Sequence, residues 1–123
     1  MKEEAGRLRV ILVDDEEPAR TLLREYLGRR PGIEIAAECA NGFEAVKAIT
    51  ELHPDLVLLD IQMPKLDGFE VMELIEKEVP VIFITAYEEH ALRAFEVHAV
   101  DYLLKPFTEA RLAEALERAA GRI

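Results

Sequence analysis

The chain has 123 residues, half of them hydrophobic and a third charged, with a formal net charge of −10. That balance fits one compact domain and excludes a disordered chain, while the acid excess argues against direct contact with nucleic acid, which needs clustered Lys and Arg. No apolar run is long enough to cross a bilayer, the opening MKEEAGRLRV has no signal-peptide core, and the lone Cys39 has no partner for an internal disulfide, so a cytoplasmic setting is expected.

In chain order, LRVILV (8–13) predicts a strand, followed by Asp14 and Asp15. Ala19, Leu22, Leu23, Tyr26 and Leu27 then fall on one helical stripe over 18–28, with Pro18 in the first turn and Gly28 and Pro31 at the end. IEIAAE (33–38) predicts a second strand, although it alternates less cleanly. Asn41, with Glu44 three positions on, caps a helix whose stripe is Ala45, Val46, Ile49 and Leu52, and Pro54 stops it.

DLVLLD (55–60) predicts a third strand. Asp67 caps a helix carrying Phe69, Val71, Met72, Leu74 and Ile75. VPVIFIT (79–85) is the fourth strand, and a short helix runs through Ala91, Leu92 and Phe95. DYLL (101–104) is the fifth strand, and Thr108 caps a last helix with Leu112, Leu116 and Ala119 inward.

Uniformly apolar strands belong to a sheet covered on both faces, and strands alternating with helices give parallel pairing. A doubly wound α/β sandwich of five strand–helix units is expected. Such sheets bind ligands beyond the carboxyl ends of their strands. Those ends carry Asp14 and Asp15, Asp60, Thr85 and Lys105. Crowded carboxylates repel, and a hard divalent cation relieves the conflict. Magnesium fits, since it takes carboxylate and water oxygens and leaves positions for phosphate. A carboxylate can itself attack phosphorus, with a threonine hydroxyl and a lysine ammonium on the phosphoryl oxygens.

Blander roles suit other residues. His53, His90 and His98 are scattered and read as solvated. Cys39 reads as a small core residue, Met63 and Met72 as packing, and Asp67 and Glu70 as helix-start acids. Asp14 and Asp15 alone would pass for a helix-start pair before Pro18.

Taken together, VILVDDE, LVLLDIQMPKLDGFEV, PVIFITAY and VDYLLKPF resemble the receiver domain of two-component response regulators, over about residues 7–120. The resemblance implies a single receiver domain over 1–123 with a flavodoxin-like (CheY-like) three-layer fold, five helices and strand order 2-1-3-4-5. It implies that Asp60 accepts a phosphoryl group from a sensor histidine kinase. It implies Mg2+ held by Asp15, Asp60 and the Gln62 backbone carbonyl, with Asp14 assisting through water. Thr85 and Lys105 match the phosphoryl-binding pair, Tyr102 matches the switch aromatic, and the Lys105–Pro106 bond is expected to be cis. Gln62 and Tyr87, each two residues beyond a site residue, match positions that set how fast the acyl phosphate hydrolyses; the bulk of Tyr87 implies slow loss.

EEPARTLLREYL and TAYEEHALRAFEVHAVDYLLKPF are similar to receivers of the LytTR type, whose output domain binds DNA. Since the chain ends at Ile123, such an output segment would lie outside it; a receiver cut from a longer protein is favoured over a stand-alone one. The expected function is therefore a phosphorylation-controlled switch rather than an enzyme. It would act through the face of the fourth helix, fifth strand and fifth helix, with homodimerisation there, no nucleic-acid contact of its own and no membrane. Two rivals are a magnesium-dependent aspartyl-phosphate phosphatase, disfavoured by Gln62 where such enzymes carry a second Asp, and a phosphate-independent binding module.

Overall fold

The computed structural model of the protein describes residues 7–122. The opening acids read against a signal peptide, within residues 1–6, and Ile123 lie outside the described residues. Five parallel strands, β1 (Leu8–Val13), β2 (Ile33–Cys39), β3 (Leu56–Leu59), β4 (Val81–Thr85) and β5 (Asp101–Leu104), pair in the order β2-β1-β3-β4-β5. The helices are α1 (Glu17–Gly28), α2 (Gly42–Leu52), α3 (Gly68–Leu74), α4 (Ala91–Glu96) and α5 (Glu109–Arg122), with a 3-10 turn at Glu88–His90 leading into α4. This is the doubly wound order expected.

Successive strand residues face opposite sides of a sheet, and that period sorts the apolar runs into two cores. Ile11, Val13, Val57, Leu59, Val81 and Phe83 face α2, α3 and α4, packing on Ala45, Ile49, Phe69, Val71 and Ala94. Val10, Leu12, Leu56, Leu58, Ile82 and Ile84 face α1 and α5, packing on Leu23, Leu27, Leu112, Leu116 and Ala119. The runs lack alternation because both of their faces are buried.

The edges explain the weaker signals. β2 is half-buried along most of its length and lies at one edge. Its register against β1 shifts between Val10 and Ile11, skipping Ala36, so a bulge interrupts its alternation. β3 and β4 are shorter than the apolar runs suggest. Asp55 caps the entry of β3 by accepting the Arg9 N–H at 2.8 Å, and Asp60 falls just past its exit.

Helix starts follow the sequence. The Asn41 side chain accepts the Glu44 N–H, Asp67 and Glu70 form a reciprocal capping box, and Thr108 Oγ1 accepts the Arg111 N–H at 3.0 Å. The helices α3 and α4 leave large apolar side chains exposed. Leu74 is exposed because α3 ends there and the extended Ile75 turns inward instead. In α4 only Ala94 is buried, while Leu92 and Phe95 are 69% and 78% exposed. Among the described residues no helix is long and apolar enough to cross a membrane.

Candidate functional site

The sheet register builds the site. Val13 pairs with Leu59, so the residues that follow, Asp14 and Asp60, emerge side by side at the point where the strand order reverses. Both are buried, at 1% and 6% exposure, and Asp15 stands exposed beside them. Carboxylate oxygens of Asp14, Asp15 and Asp60 lie within 4.8 Å of one another. This all-oxygen donor set is what a hard divalent cation requires.

Lys105 enters from β5. Thr85 pairs with Leu104, and the Lys105 N–H donates to the Thr85 carbonyl at 2.8 Å, beyond which the Lys105–Pro106 peptide is cis. Lys105 Nζ donates to Asp14 Oδ2 at 2.8 Å and to Asp60 Oδ2 at 3.4 Å. Asp14 has a second duty, since its Oδ1 accepts the Glu16 N–H at 2.9 Å ahead of α1. That bond orders the turn ahead of α1 without capping the helix, whose N-cap Glu16 makes no side-chain cap bond.

The remaining oxygen of Asp60, Oδ1, accepts the Gln62 N–H at 3.3 Å. Burial pushes the Asp60 carboxyl up to about 6, opposed by Lys105 and reinforced by Asp14. Burial would lower the Lys105 ammonium, but the Asp14 hydrogen bond and the Asp60 charge hold it above the usual lysine range. Thr85 is fully buried, and its Oγ1 accepts the Tyr87 N–H at 3.4 Å. Tyr102 donates its hydroxyl to the Tyr87 carbonyl, so Tyr87 is held on one side by Thr85 and on the other by β5.

The turn from Asp60 into α3 closes on Gly68. The Gly68 N–H donates to the Ile61 carbonyl at 2.9 Å. A Cβ at Gly68 would stand 2.6 Å from the Asp60 carbonyl oxygen, closer than real Cβ contacts come. Pro64 and Lys65, the latter at φ 73°, complete the bend.

Thus Asp14, Asp15, Asp60, Gln62, Thr85 and Lys105 meet at one rim, with Tyr102 joined through Tyr87. Two features were missed. His90 is not simply solvated: its Nε2 lies 3.1 Å from Gln62 Nε2, and its ring stands edge-on to Phe69 and Tyr87. No sequence spacing signals that contact. On the other side of β5, Arg111 forms a bidentate pair with Asp101 at 2.8 and 3.0 Å, and Arg118 adds a bond of 2.6 Å. The spacing of Arg111 and Arg118, two helical turns apart, was the available signal. His53 and His98 are exposed at positive φ, Cys39 and Met63 are in the core, and Met72 packs against it.

Comparison with known proteins agrees with this geometry. The family model "Response regulator receiver domain" matches residues 10–117. An uncharacterized response regulatory protein of Yersinia pestis is 57% identical over 113 residues, covering 90% of this chain and 48% of that protein. The transcriptional regulatory protein BtsR of Escherichia coli is 46% identical over 113 residues, covering 90% and 47%. The chain thus spans about half the length of these relatives. Among solved structures, the response regulatory domain of mrkE from Klebsiella pneumoniae superposes with a TM-score of 0.84 at 32% identity, covering 93% of this chain and 96% of that one. A LuxR-family two-component response regulator from Aurantimonas sp. SI85-9A1 gives 0.87 at 34%, covering 94% and 87%. With sheet order, rim chemistry and relatives in accord, the chain belongs to the response regulator receiver domains of two-component systems.

Proposed function

We propose that the chain is a phosphoacceptor switch in which Asp60 receives a phosphoryl group from the phosphohistidine of a sensor histidine kinase. The observation that carries the reading is the reach of Lys105 Nζ to both Asp14 and Asp60 at the switch point of the sheet. An Asp60 oxygen attacks phosphorus in line. The P–N bond breaks, and its electron pair returns to the kinase imidazole. Lys105 and the Gln62 N–H are positioned to take up charge on the phosphoryl oxygens, and the Thr85 hydroxyl is the remaining donor. Asp14, Asp15, Asp60 and the Gln62 carbonyl would hold Mg2+, which when bound offsets the carboxylate and phosphoryl charges.

The same contacts support a switch. A phosphoryl group on Asp60 would accept a hydrogen bond from the Thr85 hydroxyl, whose Oγ1 receives the Tyr87 N–H, and Tyr102 is tied to the same loop. Drawing Thr85 inward makes room for Tyr102 and repacks the α4–β5–α5 face. That change can be no larger than the difference in phosphoryl contacts between the two states. The face then favours a homodimer. This chain is one receiver domain acting in the cytoplasm and catalysing only its own phosphorylation and dephosphorylation. The likeness to the transcriptional regulatory protein BtsR supports transcriptional output. In this reading a LytTR-type DNA-binding segment outside this chain carries that output, and the receiver itself touches neither nucleic acid nor membrane.

Intact-mass spectrometry after incubation with acetyl phosphate, with and without Mg2+, tests the chemistry. One added phosphoryl group that requires both Mg2+ and Asp60 is expected, and Asp60→Ala stays unmodified. Donor turnover without an adduct would favour a phosphatase, and neither adduct nor turnover a phosphate-independent module.

A further inference from the structure

We infer that His90 is a positioning residue that fastens the side chains of Gln62 and Tyr87 over the solvent side of the Asp60 site, slowing loss of the phosphoryl group. The inference rests on the phosphoacceptor reading of Asp60. Three contacts carry it. The Gln62 N–H touches Asp60 Oδ1, and the Tyr87 N–H touches Thr85 Oγ1. The side chains of those same two residues converge on His90: the Gln62 carboxamide lies 3.1 Å from Nε2, and the Tyr87 ring stands edge-on at 6.3 Å between centroids. His90 is itself seated, half-buried and edge-on to Phe69 at 6.0 Å, with Arg93 stacked 4.1 Å over that ring.

The approach of water explains why such a clamp matters. Asp60 and Thr85 are buried against the sheet, and Lys105 covers Oδ2. The rim residues left exposed are Asp15, Gln62 and Tyr87, and the last two are those that His90 meets. In hydrolysis a water oxygen attacks phosphorus as the bond from phosphorus to the Asp60 oxygen breaks. The electron pair returns to the carboxylate, a water proton passes to solvent, and inorganic phosphate leaves. A carboxamide and a ring held in place hinder that water; released, they rotate away and admit it. His90 joins the β3–α3 turn to the start of α4, so the clamp spans two segments that only the fold brings together.

The test is the decay of the phosphorylated full chain, followed by intact mass after removal of acetyl phosphate with Mg2+ kept present. His90→Ala is expected to lose phosphate about fivefold faster, the effect of one net hydrogen bond on a barrier. Its rate of labelling by acetyl phosphate should stay within about twofold of wild type, a difference too small to represent a lost site contact. His90→Gln, which keeps a hydrogen-bonding group at similar reach, should restore most of the lifetime. In a double-mutant cycle, His90→Ala should quicken decay less in Gln62→Ala than in wild type, because the Gln62 contact is already broken and only the Tyr87 contact remains to lose. Equal decay in wild type and His90→Ala, or additive effects of His90→Ala and Gln62→Ala, overturns the inference while leaving the phosphoacceptor reading intact. Failure of the wild type to take any phosphoryl group overturns both.

Discussion

Lys105 Nζ stands 2.8 Å from Asp14 Oδ2 and 3.4 Å from Asp60 Oδ2, so one ammonium serves two buried carboxylates. Lys105→Ala leaves that pair without its protein counter-charge. The variant should lose about 1–2 kcal/mol in urea unfolding without divalent cation, a partly exposed lysine contributing less than a fully buried one. Added Mg2+ should recover much of the loss. Labelling by acetyl phosphate should slow by about tenfold or more, since the variant lacks charge aimed at the phosphoryl oxygens.

Asp60 carries the opposite lesson, because its folded-state pKa is raised. Pushed from 3.8 to about 6, chiefly by burial, the carboxyl binds protons more readily folded than unfolded. Stability must then fall as pH rises through that window. Asp60→Asn removes the ionisation while keeping the shape. Without Mg2+ it should be more stable than wild type by about 1–3 kcal/mol at pH 8, most of the advantage vanishing by pH 4. Urea melts at the two pH values decide it; an advantage unchanged by pH would point to packing instead.

Gly68 marks where the backbone permits no side chain. A Cβ there meets the Asp60 carbonyl oxygen at 2.6 Å and the Ile61 Cα at 3.0 Å, both backbone atoms. Gly68→Ala must displace the turn that follows the phosphoacceptor. A loss of about 1–3 kcal/mol is expected, with slower labelling by acetyl phosphate because Asp60 moves with it. Full stability and unchanged labelling would mean the turn adapts freely.

Legibility of the sequence followed what each residue type encodes locally. The apolar runs of β1, β3 and β4 announced a doubly covered sheet, and the polar residues at their ends announced a rim. Asn41, Asp67 and Thr108 announced helix starts, because capping is local chemistry. Gly42 was silent, though its missing Cβ admits the Leu66 carbonyl oxygen, because that contact joins distant segments. His90 was misread for the same reason: its partners Gln62 and Phe69 come from another part of the chain. Leu92 and Phe95 mark a different limit. Their spacing announced a short helix, which α4 is, but its seating was not legible: only Ala94 enters the core.

Tyr87 offers a kinetic test of the site's open side. Its ring is 44% exposed, its N–H lies on Thr85, and its carbonyl receives the Tyr102 hydroxyl. Tyr87→Ala keeps both backbone contacts and removes only the ring. Loss of phosphate should quicken about three- to tenfold, with the labelling rate little changed. An unchanged lifetime would remove the ring from the account of phosphate retention and leave that role to Gln62.

The exposed apolar pair on α4 is the natural reporter of the proposed switch. Leu92 and Phe95, three residues apart on α4, are 69% and 78% exposed, and Leu104 of β5 is 39% exposed. Large apolar side chains gathered on a short helix favour a partner, because burying them recovers about 25 cal/mol per Å2. On β5 the Asp101 charge is already neutralised by Arg111 and Arg118. In sedimentation velocity, treatment with acetyl phosphate and Mg2+ should shift wild type from monomer toward dimer. Phe95→Glu, which replaces the most exposed of these side chains with a charge and leaves Asp60 untouched, should still be labelled but stay monomeric. Asp60→Asn should stay monomeric for the other reason, that it cannot be labelled. A labelled Phe95→Glu that dimerises as wild type does would move the interface away from α4. An Asp60→Asn chain that dimerises on treatment with the donor would separate assembly from phosphorylation altogether.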